Sequence, residues 1–189
     1  TGTMYRAVTR KAIQMKIGME QAESLTEMVK SLDIQLKSHN GIDNLVVDGE
    51  NTTKYLREPE IDQSVSLVSK IEGVRDCLVE RQRTIAKQGK IIMVGRDIGT
   101  VVLPDADLKI YLDAPVKIRA KRRYIQILDK DPTTKYIQVY NQLIRRDKID
   151  SEREVSPLRP AKDAVVIETE HLGVGILARK IGKLAGMVQ

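Results

Sequence analysis

Apolar side chains recur every three or four residues at the start of the chain, over Thr3–Ile17. This period places Val8 and Ala12 on one face of an amphipathic helix. Gly18 follows directly and is predicted to end that helix, because glycine is the residue that most often follows a helix C-terminus. A second short helix is predicted over residues 25–32, where Leu, Met and Val recur with the same period.

The period then changes to two, over Asp33–Lys37 and Asn44–Val47. Alternation of this kind is typical of strands that bury one face. His39-Asn40-Gly41 lies between the two runs and is a hairpin turn signal. Pro59 is predicted to open the next helix, and a further helix is predicted over Glu72–Gln88.

Short apolar runs alternate with helical segments in the rest of the chain. Strands are predicted over Ile91–Val94, Leu108–Leu112 and Val165–Ile167, and helices over Pro115–Leu128, Tyr136–Asp150 and Val174–Met187. This alternation indicates an α/β fold in which helices wrap a parallel sheet. Ligands of such folds bind at the carboxyl ends of the strands.

Two charged residues follow the first of these strands, in the segment Gly95-Arg96-Asp97-Ile98-Gly99-Thr100. If Ile91–Val94 is a strand, Arg96 and Asp97 lie at the mouth of the sheet. The alternative is an ordinary turn that holds a local ion pair between the two side chains.

The helix after the next strand carries Arg119, Arg122 and Arg123, and a loop over Asp129–Thr134 joins it to the following helix. A helix–loop–helix with Arg on both sides resembles a mobile flap that closes over phosphates. The alternative is a solvated basic surface.

Two Arg residues and a carboxylate share one helical face near the C-terminal third. At about 100° per residue, Asp150 lies roughly 40° from Arg146, and Arg153 lies about 20° from Arg146 on the other side. Arg can grip a phosphate through two parallel hydrogen bonds. The alternative is a solvated helix surface with ion pairs one turn apart.

Composition narrows the classes of function. The 189 residues carry 32 Lys and Arg against 26 Asp and Glu, and the net charge of +6 suits an anionic partner. Aromatic content is 3% with no Phe or Trp, so only six Tyr could stack on single-stranded nucleic acid. A small phosphorylated ligand is therefore at least as good an interpretation.

Other classes find no support in the sequence. No apolar run approaches the roughly 18 residues of a membrane span, and no secretory signal is evident. Cys77 is the single cysteine, which excludes an internal disulfide and favours the cytoplasm. No Cys/His cluster suggests a metal site.

Several segments together resemble one family, bacterial cytidylate kinase. They are T-G-T-M-Y-R at Thr1–Arg6, G-R-D-I-G-T-V-V at Gly95–Val102, R-A-K-R-R at Arg119–Arg123, and R-x-x-x-D-x-x-R at Arg146–Arg153 followed by P-L-R-P-A-K-D-A. The resemblance implies a single nucleoside monophosphate kinase domain over residues 1–189, with a parallel sheet like that of P-loop NTPases. It also implies an inserted substrate-binding subdomain over residues 32–75 and a helical lid over residues 115–150.

The resemblance implies transfer of the γ-phosphoryl group of ATP, as its Mg²⁺ complex, to CMP or dCMP. It assigns the acceptor phosphate to Arg6, Arg96 and Arg153, the ribose to Arg146 and Asp150, the cytosine to Ser66, Arg75 and Asp97, and the lid over ATP to Arg119, Arg122 and Arg123. Thr1 joins the substrate-binding set, and Arg96, Arg123 and Arg153 are the expected catalytic residues. No partner beyond these nucleotides is expected, neither nucleic acid nor membrane, and the protein is expected to be a monomer. A site rich in Arg suits phosphoryl transfer, which needs positioning and charge neutralisation rather than a nucleophilic side chain.

One family feature has no counterpart here: the sequence contains no G-x-x-x-x-G-K-[ST]. In the family this phosphate loop precedes the T-G-x-M-Y-R segment. We therefore expect the chain to be part of a longer one, and to be inactive by itself. The literal alternative is an N-terminally deleted, inactive protein. Two other functions remain open, a related kinase with another base specificity and a basic module that binds nucleic acid.

Overall fold

The computed structural model describes residues 1–39, 42–129 and 131–186, which form two compact units, Thr1–Arg96 and Asp97–Gln189. The described residues of the first unit form four α-helices, one three-stranded sheet and a short 3-10 helix over Thr53–Tyr55. Its helices are α1 (Gly2–Gln14), α2 (Ala22–Ser31), α3 (Pro59–Val68) and α4 (Glu72–Ala86), and its strands are β1 (Ile34–His39), β2 (Ile42–Val47) and β3 (Glu50–Asn51). The two N-terminal helices, the opening of α3 at Pro59 and the helix predicted over Glu72–Gln88 are thereby confirmed.

The core of the first unit is built largely from apolar residues of its helices. Val8 and Ala12 of α1 are fully buried, as are Leu25 of α2, Val68 of α3 and Leu78 of α4. Burial of such side chains contributes roughly 1.5–3 kcal/mol each for the larger residues. This core fixes α1 against α3 and α2 against α4, and so sets the positions of the polar residues that these helices carry.

The predicted hairpin is present. Strands β1 and β2 pair antiparallel, with Ile34 opposite Val47. The turn signal at Asn40-Gly41 lies outside the described residues. A second turn, Asp48-Gly49, joins β2 to β3 with φ angles of 49° and 82°. Both residues in the left-handed region are typical of the tight hairpin turn for which Asp-Gly is a favoured sequence.

The end of α1 differs from its prediction. The helix ends at Gln14, and Lys16, with φ of 56°, takes the left-handed position that was predicted for Gly18. The N–H of Ile17 donates to the Ala12 carbonyl at 2.9 Å and satisfies the end of the helix. The helix therefore ends three residues before Ile17, the last residue of the predicted helix.

The strand predicted over Ile91–Val94 is wrong, because these residues form no strand. Ile92 and Val94 are 75% and 76% exposed. A strand needs a partner that accepts and donates its backbone hydrogen bonds, and the described strands β1–β3 pair only with one another. The Val94 carbonyl instead accepts a hydrogen bond from the Thr1 hydroxyl at 2.6 Å.

The second unit is an α/β arrangement with a parallel strand pair. After a π-helical turn over Ile98–Val102 come β4 (Ile110–Asp113), α5 (Val116–Leu128), α6 (Tyr136–Glu152), β5 (Val165–Glu168) and α7 (Val174–Leu184). Strands β4 and β5 pair parallel, with Ile110 opposite Val165 and Asp113 opposite Glu168. The structure thus confirms a mixed α/β protein with helices and a parallel sheet. The predicted end of the last helix, Met187, lies outside the described residues.

Candidate active site

Arg6 lies on α1 in the first unit and its side chain is 12% exposed. Its Nη1 atom donates to the backbone carbonyl of Leu56 at 3.0 Å and to the carboxylate of Asp62 on α3. These contacts reach across 50 and 56 residues of sequence. The guanidinium is therefore held in one orientation by a second helix and by the loop before it.

Ser66 and Arg75 are buried in the same unit, at 6% and 1% exposure. The Nη1 atom of Arg75 donates to the carbonyl of Ser69 at 2.9 Å, and the hydroxyl of Ser69 donates to the carbonyl of Ser66 at 3.1 Å. Ser69 is the residue at which α3 ends. A cation at a helix C-terminus is favoured by the helix dipole. Arg75 and Ser66 are therefore both linked to Ser69 at the end of α3.

The ring of Tyr5 supports Arg75 from another side. The guanidinium carbon of Arg75 lies 5.5 Å from the centroid of the Tyr5 ring, and Tyr5 is 8% exposed. A cation over an aromatic face gains about 0.5–2 kcal/mol. Sequence reasoning quoted Tyr5 within T-G-T-M-Y-R but gave it no role, and it missed Asp62. Asp62 pairs with a residue 56 positions away, and no local pattern in the sequence signals that contact.

The G-R-D segment leads into the second unit. Arg96 is half-buried and closes the first unit. Asp97 is 6% exposed, and its carbonyl accepts hydrogen bonds from the N–H groups of Val101 at 2.9 Å and Val102 at 3.2 Å. Single π-helical turns of this kind occur frequently at functional sites.

Gly99 lets this π-helical turn pack closely. A Cβ atom at Gly99 would lie 3.3 Å from Cδ of Lys109 and 3.5 Å from Cβ of Ala161. The first distance is tighter than ordinary contact, so the Lys109 side chain would have to move by a few tenths of an ångström to admit a larger residue. The absence of a side chain at Gly99 thus lets Lys109 pack against the turn that follows Asp97.

The prediction of one helical face for Arg146, Asp150 and Arg153 is only half right. Arg146 and Asp150 lie on α6, where Arg146 Nε is 3.8 Å from Asp150 Oδ2 and Asp150 is 3% exposed. The helix ends at Glu152, and Arg153 is extended, with φ of −65° and ψ of 139°. The Asp150 carbonyl accepts from the N–H of Leu158 at 2.7 Å, a loop partner in place of the next helical turn.

Arg153 is held by the loop that it enters. Its Nε atom donates to the carbonyl of Ser156 at 2.5 Å, and Ser156 has a left-handed φ of 55°. Such a φ is uncommon for a residue other than glycine and costs conformational energy. The loop thus fixes the backbone and guanidinium of Arg153 although the helix does not continue to it.

The Arg residues of the predicted lid have different surroundings. Arg119 Nε donates to the Ala114 carbonyl at 2.9 Å, and its Nη1 donates to Asp147 of α6 at 2.6 Å. Arg122 Nη1 donates to the Thr169 hydroxyl at 3.1 Å, and its Nη2 donates to the Thr169 carbonyl. Arg123 is half-buried.

The loop between α5 and α6 is ordered around Asp131. Hydrogen bonds from the hydroxyls of Thr133 and Thr134, at 2.6 and 2.7 Å, lower the pKa of the Asp131 carboxyl below its ordinary value. The N–H of Thr133 donates to the same carboxylate at 3.0 Å. Asp-Pro-Thr-Thr therefore forms a compact turn between the two helices.

Two cavities in the first unit lie apart from the predicted site residues. One of about 270 Å³ is lined by Ala22, Thr26 and Ile71 among others, and one of about 440 Å³ by Lys30, Cys77 and Arg81 among others. Within residues 1–39, 42–129 and 131–186 no group of three or more His, Cys, Asp or Glu could hold a metal ion. In the same ranges no helix is both long enough and apolar enough to cross a membrane.

Comparison with known proteins identifies the family to which this chain is similar. The family model for cytidylate kinase matches residues 1–185. The chain is 44% identical to the cytidylate kinase of Bacillus velezensis and 43% identical to that of Bacillus subtilis, in both cases over 96% of this chain and 81% of the relative. It is 41% identical to the cytidylate kinase of Caldicellulosiruptor saccharolyticus, over 97% of this chain and 81% of the relative. The motifs, the buried Arg and Asp residues and these matches agree, and the chain belongs to the cytidylate kinase family.

Proposed function

We propose that the protein transfers the γ-phosphoryl group of ATP to CMP or dCMP. A phosphate oxygen of CMP attacks the γ-phosphorus, the bond from this phosphorus to the bridging oxygen of ADP breaks, and CDP and ADP leave. The observation that carries the proposal is the family match over residues 1–185. The alternatives of a nucleic-acid module and of another base specificity are not favoured by it.

Positioning and charge supply most of the catalysis in such a reaction. We assign the acceptor phosphate to Arg6, Arg96 and Arg153. The fixed guanidinium of Arg6 and the loop-held guanidinium of Arg153 support this assignment, since a fixed donor loses little entropy when an anion arrives. Arg96, Arg153 and Arg123 neutralise charge that develops on the transferred group.

We assign the nucleoside to buried polar residues. Ser66, Arg75 and Asp97 read the cytosine, and Arg146 and Asp150 contact the ribose, with Thr1 among the residues that bind substrate. Burial supports these roles, because Ser66, Arg75, Asp97 and Asp150 are each at most 6% exposed. A site built from buried polar groups discriminates strongly against a ligand that mismatches their donors and acceptors.

We assign ATP binding to the lid, residues 115–150, which comprises α5 and most of α6 and closes over the nucleotide. Within the described residues, Arg119 keeps its Nη2 atom for a ligand and Arg122 keeps its Nε atom, since their other nitrogens contact Ala114, Asp147, Thr169 and Glu170. Mg²⁺ belongs to the ATP substrate in this proposal. The described residues contain no group of three or more His, Cys, Asp or Glu that could hold a resident metal ion. The protein is further proposed to act as a cytoplasmic monomer on these nucleotides alone.

Coupled detection of ADP tests the proposal on the intact protein that carries this sequence. With ATP and Mg²⁺ present, CMP and dCMP should each stimulate ADP release well above the rate without acceptor. UMP should support a kcat/KM at least about 10²-fold lower than CMP, which is roughly 2.7 kcal/mol. ADP release that does not depend on CMP would overturn the proposal.

A further inference from the structure

Arg6 uses a single nitrogen for its contacts to the protein. Its Nη1 atom carries two hydrogens, and one is donated to the Leu56 carbonyl at 3.0 Å while the other is donated to the Asp62 carboxylate. Leu56 is 2% exposed, and the Asp62 side chain is 27% exposed. Both partners approach the guanidinium from the same corner, and both belong to the segment around the start of α3.

The opposite edge of the guanidinium is formed by Nε and Nη2. Within the described residues, neither Nε nor Nη2 of Arg6 contacts a protein acceptor. The Nε–Nη2 edge is a pair of parallel N–H groups that matches two oxygens of a phosphate. A guanidinium is planar and rigid, so fixing Nη1 also fixes the direction in which this edge points.

We propose that Asp62 is a positioning residue for the acceptor phosphate: it holds Nη1 of Arg6 so that the Nε–Nη2 edge receives the phosphate of CMP. The inference rests on the proposed function, because it needs Arg6 to bind that phosphate. It adds a residue that does not touch the substrate. Its effect reaches the nucleotide only through Arg6.

The opposite role for Asp62 would be competition, in which the carboxylate occupies Arg6 until phosphate displaces it. The geometry favours positioning. Asp62 and the backbone carbonyl of the buried residue Leu56 both accept from Nη1. A phosphate can bind the Nε–Nη2 edge without breaking either contact. The two roles predict opposite signs, since removing a competitor tightens CMP binding and removing a positioning group weakens it.

A second ion pair of α1 provides a matched control. Lys11 Nζ lies 2.6 Å from Asp48 Oδ2, and the two side chains are 30% and 37% exposed. This pair also ties α1 to another element, but neither residue belongs to the predicted site. Asp48 lies in the turn between β2 and β3, so Asp48→Asn removes a carboxylate that pairs with a cation of α1 without touching Arg6.

Isothermal titration of the intact protein with CMP and with cytidine separates the possibilities. Asp62→Asn should weaken CMP binding by about tenfold, the order expected when a charge-assisted contact no longer holds its partner. Cytidine has no phosphate, so its affinity should be unchanged. Asp62→Glu should restore at least half of the lost affinity on a logarithmic scale, and Asp48→Asn should leave both affinities as in the wild type.

Three results would overturn the inference. They are CMP affinity in Asp62→Asn equal to or higher than wild type, equal losses for CMP and cytidine, and no recovery in Asp62→Glu. Asp62→Ser is the second variant if Asp62→Asn does not fold, with the same expectations. Wild-type protein that binds CMP no tighter than cytidine would instead remove the phosphate role of Arg6, and with it the proposed function of this residue.

Discussion

Arg119 on α5 and Asp147 on α6 form an ion pair, with Arg119 Nη1 2.6 Å from Asp147 Oδ2. The Nε atom of the same guanidinium donates to the carbonyl of Ala114, just before α5 begins. Arg119 therefore joins the end of β4 to both helices of the predicted lid. Its side chain is 36% exposed, so the pair is screened by solvent and contributes modestly to stability.

Substitution of the two residues of this pair should have different effects on KM for ATP. Asp147→Asn and Arg119→Gln both break the ion pair, and each should lower the free energy of unfolding by at most about 1 kcal/mol. Arg119→Gln should also raise KM for ATP at least about fivefold beyond the effect of Asp147→Asn, because it removes the Nη2 donor assigned to ATP. Urea unfolding and steady-state kinetics check both statements. Equal KM values in the two variants would assign Arg119 to holding the helices alone.

Selectivity for cytosine should depend on Ser66 and Arg75. Cytosine offers an amino donor where uracil offers a carbonyl acceptor, and their N3 positions differ in the same way. Ser66→Ala and Arg75→Met should narrow the preference for CMP over UMP, chiefly by weakening CMP. Because Arg75 is 1% exposed, a thermal melt must first show that Arg75→Met is folded. An unchanged CMP/UMP ratio in kcat/KM for both folded variants would remove these residues from the base site.

The ribose assignment predicts a difference between two natural substrates. Asp150→Ala should weaken CMP about tenfold more than dCMP if the carboxylate accepts the 2′-hydroxyl. Arg153→Ala should instead weaken both substrates alike, since they carry the same phosphate. The comparison needs kcat/KM for both nucleotides on both variants. Equal losses for Asp150→Ala would indicate that this buried carboxylate holds Arg146 rather than the sugar.

One carboxylate of the second unit predicts a pH dependence of stability. A hydrogen bond from Lys109, at 2.6 Å, holds the pKa of the Asp163 carboxyl below its ordinary value of 3.8. A lowered pKa in the folded state means that the pair stabilises the protein above that ordinary value. The contribution is lost as the pH falls through the folded-state pKa.

Asp163→Asn should therefore be less stable than wild type at pH 7, and the two proteins should converge in stability as the pH falls below about 3.8. Chemical unfolding at a series of pH values measures this. Asp105→Asn, which changes an exposed carboxylate with no ion pair among the described residues, is the control and should follow the wild type throughout. A difference between Asp163→Asn and wild type that does not change with pH would contradict the role of the charge.

Local signals predicted the elements better than their ends. The run over Asn44–Val47 identified a strand of the hairpin correctly, although burial does not alternate along it, because Leu45, Val46 and Val47 are all buried. The end of α1 at Gln14 was missed, because Lys16 adopts a left-handed φ that its residue type does not announce. The strand predicted over Ile91–Val94 was wrong, because an apolar run does not reveal whether a partner strand is present.

The sequence predicted which residues belong to the site, but not which residues they contact. Arg6 came from a motif and Arg75 from the family resemblance, but their partners Asp62 and Ser69 depend on how α3 packs in three dimensions. Sequence separation hides such pairs, since nothing local links Arg6 to a residue 56 positions away. Arg153 shows a second limit. The helical period predicted that it shares a face with Arg146, but the helix ends at Glu152, so that prediction fails.

The central claim is tested most directly by ³¹P NMR of the intact protein with ATP, Mg²⁺ and CMP. CDP and ADP should appear in equal amounts, at a rate proportional to the protein concentration, while the CMP signal falls by the same amount. An identical sample with cytidine in place of CMP should show no transfer. Loss of ATP without formation of CDP, or no change in any signal, would contradict phosphoryl transfer to CMP.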